Sequence, residues 1–130
     1  MKRTTVFIIE KDAPLANLVR YHLLSKQAKH VQVFPTVTEC FYFMHKKSIP
    51  DFLIADLDHP EINAIGFLKT VRQSFPGVRV LFLSPFTDDS LVSQLMEDGA
   101  TDYIYKSDRM EDWIRELVKN MEFLIREKSR

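Results

Sequence analysis

The stretch Pro50-Asp51-Phe52-Leu53-Ile54-Ala55-Asp56-Leu57-Asp58 decides the fold. Its apolar run, FLIA (52–55), has no polar interruption and stops abruptly at a pair of carboxylates. A strand buried on both faces, as in the middle of a parallel sheet, reads as such a continuous run. Working outward, VFII (6–9) ends at Glu10, VRVLFL (78–83) ends at Ser84, and YIY (103–105) ends at Lys106. VQVF (31–34) alternates instead, which predicts a strand nearer an edge. Amphipathic segments lie between the runs. Leu15, Leu18, Val19, His22 and Leu23 share one helix face, as do Val37, Cys40, Phe41 and Met44. Ile65, Leu68, Val71 and Phe75 make a looser face, and Leu91, Val92, Leu95 and Met96 a closer one. A last helix runs from about Arg109 to Lys128, with Met110, Ile114, Leu117, Met121 and Leu124 as its predicted core stripe. Pro14 sits in a first turn, Pro76-Gly77 breaks the chain before the fourth strand, and Gly99 follows the fourth helix.

Five strand-then-helix units in strict alternation predict a three-layer α/β/α sandwich on a parallel sheet. Right-handed crossovers leave few topologies, and a flavodoxin-like order 2-1-3-4-5 gathers the polar strand ends around the gap between strands one and three. The chain reads as one domain over residues 1–130, with room for an effector domain beyond it.

Composition excludes several functions. Lys and Arg together number 18 against 18 Asp and Glu, so the surplus of basic charge on which nucleic-acid binding rests is missing. Cys40 is the single cysteine and forms no internal disulfide, which fits a reducing compartment. No apolar run approaches the ~20 residues of a membrane span, and VFII is too short for the core of a signal peptide. A cytoplasmic domain with no membrane partner is the expectation.

The residues gathered at the strand ends are Glu10, Lys11, Asp12, Asp56, Asp58, Ser84 and Lys106. A carboxylate at a strand end ordinarily caps a turn or helix, but four polar strand ends on one edge make a pocket. Other polar residues read as structural. His59 lacks a spaced partner and reads as a surface-loop residue rather than a metal ligand. Asp88-Asp89 reads as a helix N-terminal cap. Tyr42 and Phe43 lie off the core face of their helix, exposed or facing a partner.

The stretches FIIEKDAP, PDFLIADLDHPEINAIGFL, VRVLFLSP and GATDYIYKS together resemble the receiver domains of bacterial two-component response regulators over nearly the whole chain. The resemblance implies that Asp56 is the phosphoryl acceptor from a sensor histidine kinase or other signalling protein. It implies that Glu10 and position 11 are the acidic pair for Mg²⁺, with Asp56 and the backbone carbonyl of Asp58 as further ligands. Ser84 falls on the mobile hydroxyl that contacts the phosphoryl group, Lys106 on the lysine that pairs with it, and Tyr103 on the aromatic switch. Such a site makes chemical sense, because attack on an anionic phosphorus needs cations to offset repulsion and Mg²⁺ takes hard oxygen ligands.

Three departures from that pattern strike the same pocket. Lys11 stands where the family has a metal-binding carboxylate, and a charged ammonium has no lone pair for a metal. Two geometries stay open: Lys11 pairs with Asp56 in place of the ion, or it points to solvent. Pro85 follows Ser84 and has no N–H for a phosphoryl oxygen. Ser107 follows Lys106 where the family has a proline in a cis peptide, and a cis bond before a non-proline costs about 2.5–4 kcal/mol, so a trans loop is expected. Ala64 in place of a glycine is milder. Together these predict weak Mg²⁺ binding and weakened phosphorylation of Asp56.

Three other readings compete. A phosphorylation-independent interaction module would use Lys11 in place of the metal. A flavin-binding protein would need a Ser/Thr/Gly-rich first loop to cradle phosphate, whereas EKDAP (10–14) is acidic and rigid. A hydrolase lacks a paired His or Cys nucleophile near a strand end. In the last helix, Val118 and Ile125 lie two turns apart, off the predicted stripe. With Tyr103 and Tyr105 nearby, they are the expected anchors of a homodimer or effector contact.

Overall fold

Each apolar run becomes a strand and each amphipathic segment a helix. The computed structural model describes residues 4–24, 28, 30–59 and 62–128. The elements are β1 (Thr5–Ile9), α1 (Ala13–Leu24), β2 (His30–Phe34), α2 (Val37–Lys46), β3 (Phe52–Asp56), α3 (Ala64–Ser74), β4 (Arg79–Ser84), α4 (Asp89–Glu97), β5 (Asp102–Tyr105) and α5 (Met110–Lys128). The five strands form one parallel sheet in the order β2-β1-β3-β4-β5. This is the flavodoxin-like order expected from the strict alternation, with β2 at an edge as its pattern predicts.

Strand alternation divides the core between the two faces. Val6, Ile8, Phe52, Ile54, Leu81 and Leu83 pack against α1 and α5. Phe7, Ile9, Leu53, Ala55, Val80 and Phe82 pack against α2, α3 and α4. The second face is aromatic: Phe7 meets Phe34 edge-on at 5.1 Å between ring centroids, and Phe41 stacks on Phe67 at 5.6 Å. Each fully buried ring or aliphatic side chain contributes roughly 1.5–3 kcal/mol.

Local chemistry sets the helix ends. Thr36 caps α2, accepting from the Glu39 N–H at 3.1 Å, while its hydroxyl also donates to the Glu39 carboxylate at 3.3 Å. Asp88 caps α4 through the Leu91 N–H, as the Asp88-Asp89 pair predicts. Helix α4 stops at Gly99, whose φ of 105° lets its N–H reach the Met96 carbonyl and the Ala100 N–H reach that of Leu95. The positive φ favours glycine there, and a Cβ would also have to displace the Arg72 guanidinium, the movable end of a flexible side chain. At the β2 edge, the ladder to β1 uses His30 and Phe34, and Arg20 Nε donates to the Val31 carbonyl at 2.9 Å.

Three helix faces differ from the expected ones. In α5 the buried set is Trp113, Ile114, Leu117, Val118, Met121 and Ile125, whereas Met110 and Phe123 are exposed. Val118 and Ile125 are therefore core residues packed on α1 and the sheet, and they cannot anchor a surface contact. The reason is the width of the buried face: Ile114, Leu117 and Met121 of the expected stripe stay inside, and packing beside α1 and the sheet adds Trp113 on one flank and Val118 and Ile125 on the other. In α3, Ile65 is exposed while Ala64 and Phe67 turn inward, and in α4, Met96 is exposed. Among the described residues no helix is long and apolar enough to cross a membrane.

Candidate functional site

Glu10 follows β1, Asp56 closes β3, Ser84 closes β4 and Lys106 follows β5, so all four stand at the C-terminal edge of the sheet. Neighbouring β1 and β3 send their helices to opposite faces, which opens a crevice where α/β sheets bind ligands. Glu10 and Asp56 reach into it, both buried although acidic.

Every oxygen of these two carboxyls has a protein partner. Asp56 Oδ1 accepts from the Asp58 N–H at 2.8 Å, and Oδ2 accepts from Lys106 Nζ. Glu10 Oε2 accepts from the Asp12 N–H at 3.1 Å, and Oε1 lies 3.5 Å from Lys106 Nζ. Burial pushes Glu10 up to about 7, reinforced by the hydrogen bond to Asp56 and its charge and opposed by the Asp12 N–H and Lys106. Burial works against the Asp56 carboxylate as well. The hydrogen bonds from Glu10, Lys106 and the Asp58 N–H nevertheless hold it below its ordinary range. Lys106 is held above the usual lysine value, because Asp56 and Glu10 outweigh the cost of its burial. Of the two carboxyls, Asp56 is therefore the one that ionises more readily and Glu10 the one that holds a proton more readily, with Lys106 the cation between them.

Lys11 takes no part. It is exposed and forms no ion pair with Asp56, so among the described residues Lys106 alone supplies the pocket's cation. Its neighbours explain why. The Asp12 N–H is aimed inward at Glu10, and the Asp12 carboxylate caps α1 through the Leu15 N–H at 3.1 Å. With residues 10 and 12 both anchored, residue 11 is turned out.

Ser84 is fully buried, and its hydroxyl accepts from the Phe86 N–H at 3.0 Å. The Tyr103 hydroxyl donates to the Phe86 carbonyl, also at 3.0 Å. The two residues that the family resemblance marks as switches therefore grip opposite ends of one residue, a connection that sequence spacing does not reveal. Pro85 between them leaves no N–H facing the pocket from that position. The loop after Lys106 holds no cis peptide, as its Ser107 predicts. Instead, the Ser107 hydroxyl accepts from the Arg109 N–H at 3.2 Å at the start of α5.

His59 is buried, not a surface-loop residue, with Nε2 2.7 Å from the Pro35 carbonyl. Among the described residues no three His, Cys, Asp or Glu side chains are gathered for a metal. Cys40 is buried in the core with its thiol pushed up to about 12 by burial, which removes it as a nucleophile. Tyr42 is exposed, while Phe43 packs on Phe7 and Phe34. The residue that sequence reasoning missed is Trp113, whose ring lies under Lys106 with Nζ 5.6 Å from its centroid. An aromatic in the first turn of the helix that follows the lysine was the available signal.

A parallel 2-1-3-4-5 sheet with a buried aspartate at the end of β3, facing an acid and a lysine, defines a signal-receiving α/β domain. The model of the response regulator receiver domain matches residues 6–118, and the chain belongs to that family. It is 34% identical over 61 residues to the transcriptional regulatory protein LnrK of Bacillus subtilis (strain 168), covering 47% of this chain and 28% of that protein. It is 29% identical over 112 residues to the transcriptional regulatory protein CreB of Escherichia coli (strain K12), covering 82% of this chain and 45% of that protein. The chain thus spans less than half the length of either relative. Among solved structures, the receiver domain of the Francisella response regulator 1452 superposes with a TM-score of 0.81 at 18% identity. That match covers 97% of this chain and 99% of that one. Receivers of this family generally bind Mg²⁺ at the acidic pocket and act with sensor kinases or other signalling proteins.

Proposed function

We propose that this receiver takes its signal at Asp56 from a sensor histidine kinase or another signalling protein, and that Mg²⁺-dependent phosphorylation there is weakened. The observation that carries the reading is the full engagement of the Glu10 and Asp56 oxygens by Lys106 and two backbone N–H groups. Mg²⁺ asks for near-octahedral oxygen ligation. Here position 11 offers an exposed ammonium, and every carboxyl oxygen would have to exchange a protein donor for the ion. These residues do not fit the metal.

Transfer itself makes a bond between an Asp56 oxygen and phosphorus and breaks the bond from phosphorus to the donor, whose leaving atom takes a proton. Lys106 already stands beside the attacking oxygen and offsets the charge of the incoming group. Pro85 withholds a backbone donor, and losing one donor at a charged transition state typically costs about 2.7–4 kcal/mol.

A second reading, an interaction module that acts without phosphorylation, draws on the same saturation of the pocket, with Lys106 as the standing cation. Neither reading calls for substrate turnover, membrane attachment or nucleic-acid contact by this domain. Both suit a cytoplasmic regulator whose output lies with a partner or effector.

Mass spectrometry after exposure to acetyl phosphate and Mg²⁺ separates the readings. Slow, substoichiometric labelling that Asp56→Asn abolishes supports the receiver with weakened chemistry. No labelling supports the second reading. Rapid, near-complete labelling overturns both. Lys11→Asp should raise Mg²⁺ affinity in calorimetry, and equal affinity in the two proteins would remove the argument from position 11.

A further inference from the structure

Lys106 is held at both ends. Its backbone N–H donates to the Ser84 carbonyl at 2.7 Å, which fixes where the side chain leaves the sheet edge. Its ammonium meets Asp56 Oδ2 and Glu10 Oε1 on one side, and the face of Trp113 on the other. Trp113 is itself buried in the α1–α5 side of the core, so the ring has no freedom to follow a wandering lysine. A cation within about 6 Å of an indole centroid is attracted by the ring's quadrupole, most strongly where water is excluded.

We infer that Trp113 is a positioning residue for Lys106: its ring is the floor that keeps the ammonium over the Glu10–Asp56 pair. The role answers a question the β5–α5 loop raises. At Ser107 that loop is held by a backbone N–H to the Tyr105 carbonyl at 3.2 Å and by exposed hydroxyl contacts to Arg109, all of them local. A long, flexible lysine leaving such a loop has considerable rotamer entropy to lose on entering a fixed geometry. An aromatic floor supplies the restraint from the helix instead. Trp113 also belongs to the same core cluster as Val118 and Met121, which ties the pocket's cation to the packing of α5.

The inference rests on the Asp56–Lys106 pocket being the receiver's site, but its test uses neither Mg²⁺ nor a phosphodonor. In ¹⁵N-labelled protein, the Lys106 ammonium should give a resolved signal, shifted upfield by the ring current of Trp113 and slow to exchange with water. Trp113→Leu keeps a buried apolar side chain. It should abolish the upfield shift and speed exchange about tenfold, in line with a desolvated cation–π contact. Trp113→Phe should restore the upfield direction and bring exchange to within about threefold of wild type. A merely structural tryptophan predicts no such rescue. Unchanged exchange in a folded Trp113→Leu protein, or a Trp113→Phe protein no better than Trp113→Leu, would overturn the inference. Should Trp113→Leu fail to fold, the emission of Trp113, the one tryptophan of the chain, decides between wild type and Lys106→Met. A shifted maximum supports the contact and an unshifted one refutes it. Rapid labelling of Asp56 would overturn the proposed function while leaving these signals as expected, so the two failures are distinguishable.

Discussion

The strand-end pocket and the outer side of α4, β5 and α5 are built on opposite rules. In the pocket, ionisable groups are inside and every carboxyl oxygen is paired. On the outer side, Phe86, Met96, Tyr105, Met110 and Phe123 leave large apolar groups in water. Yet the two regions share elements of the chain. Fully buried Ser84 is followed closely by exposed Phe86, and in α5 exposed Met110 and buried Trp113 belong to the same first turn. The contrast teaches where free energy is held. Polar groups in the pocket are costly to disturb one at a time, whereas the exposed apolar side chains contribute little to the isolated fold.

The largest test marks the inner limit of the outer side. Val118→Glu places an unpaired charge in the α1–α5 core and should cost about 4 kcal/mol or more, enough to unfold much of the protein in a urea titration. Full retention of stability would return Val118 to the surface. Next, Lys106→Met removes the cation from two buried carboxyls and should cost about 3 kcal/mol by the same measurement. A loss below about 1 kcal/mol would mean that the pocket is not held together by this ion pair.

A pH series sharpens the picture further. Glu10 holds its proton up to about 7 in the folded protein against 4.5 as its ordinary value. Between those values the folded state binds more protons than the unfolded one, so this contribution is present below about 4.5 and is lost as pH rises through 7. Asp56, held below its ordinary range, acts in the opposite sense only at lower pH. Glu10→Gln should flatten the slope between pH 4.5 and 7, and an unchanged slope would assign it elsewhere. The smallest effect belongs to the outer side: Phe123→Glu should change stability by no more than about 0.5 kcal/mol. A larger loss would show that this ring is packed.

The sheet was legible because its central strands are buried on both faces, which leaves FLIA, VFII and VRVLFL with almost no polar interruption. The pocket's membership was legible for the same reason, since Glu10, Asp56, Ser84 and Lys106 are the residues that end those runs and YIY. Two things were not. The expected stripe of α5 and its buried face share Ile114, Leu117 and Met121, and only contact with α1 and the sheet widens that face to take in Trp113, Val118 and Ile125. The partner of Asp56 depends on which lysine points inward. That in turn depends on Asp12 donating to Glu10 and turning Lys11 away, a backbone event that no residue spacing encodes.

Arg20 at the β2 edge bears on how the molecule behaves among its own copies. The ladder to β1 runs through His30 and Phe34, so the Val31 carbonyl lies on the free side of the strand, and the guanidinium already occupies it. An incoming extended chain seeking to add a sixth strand would have to evict that donor and bury a positive charge beside its own backbone. At this border a side chain from the neighbouring helix takes one of the acceptors that a sixth strand would need. Replacing Arg20 with an apolar residue would remove the barrier without touching the core.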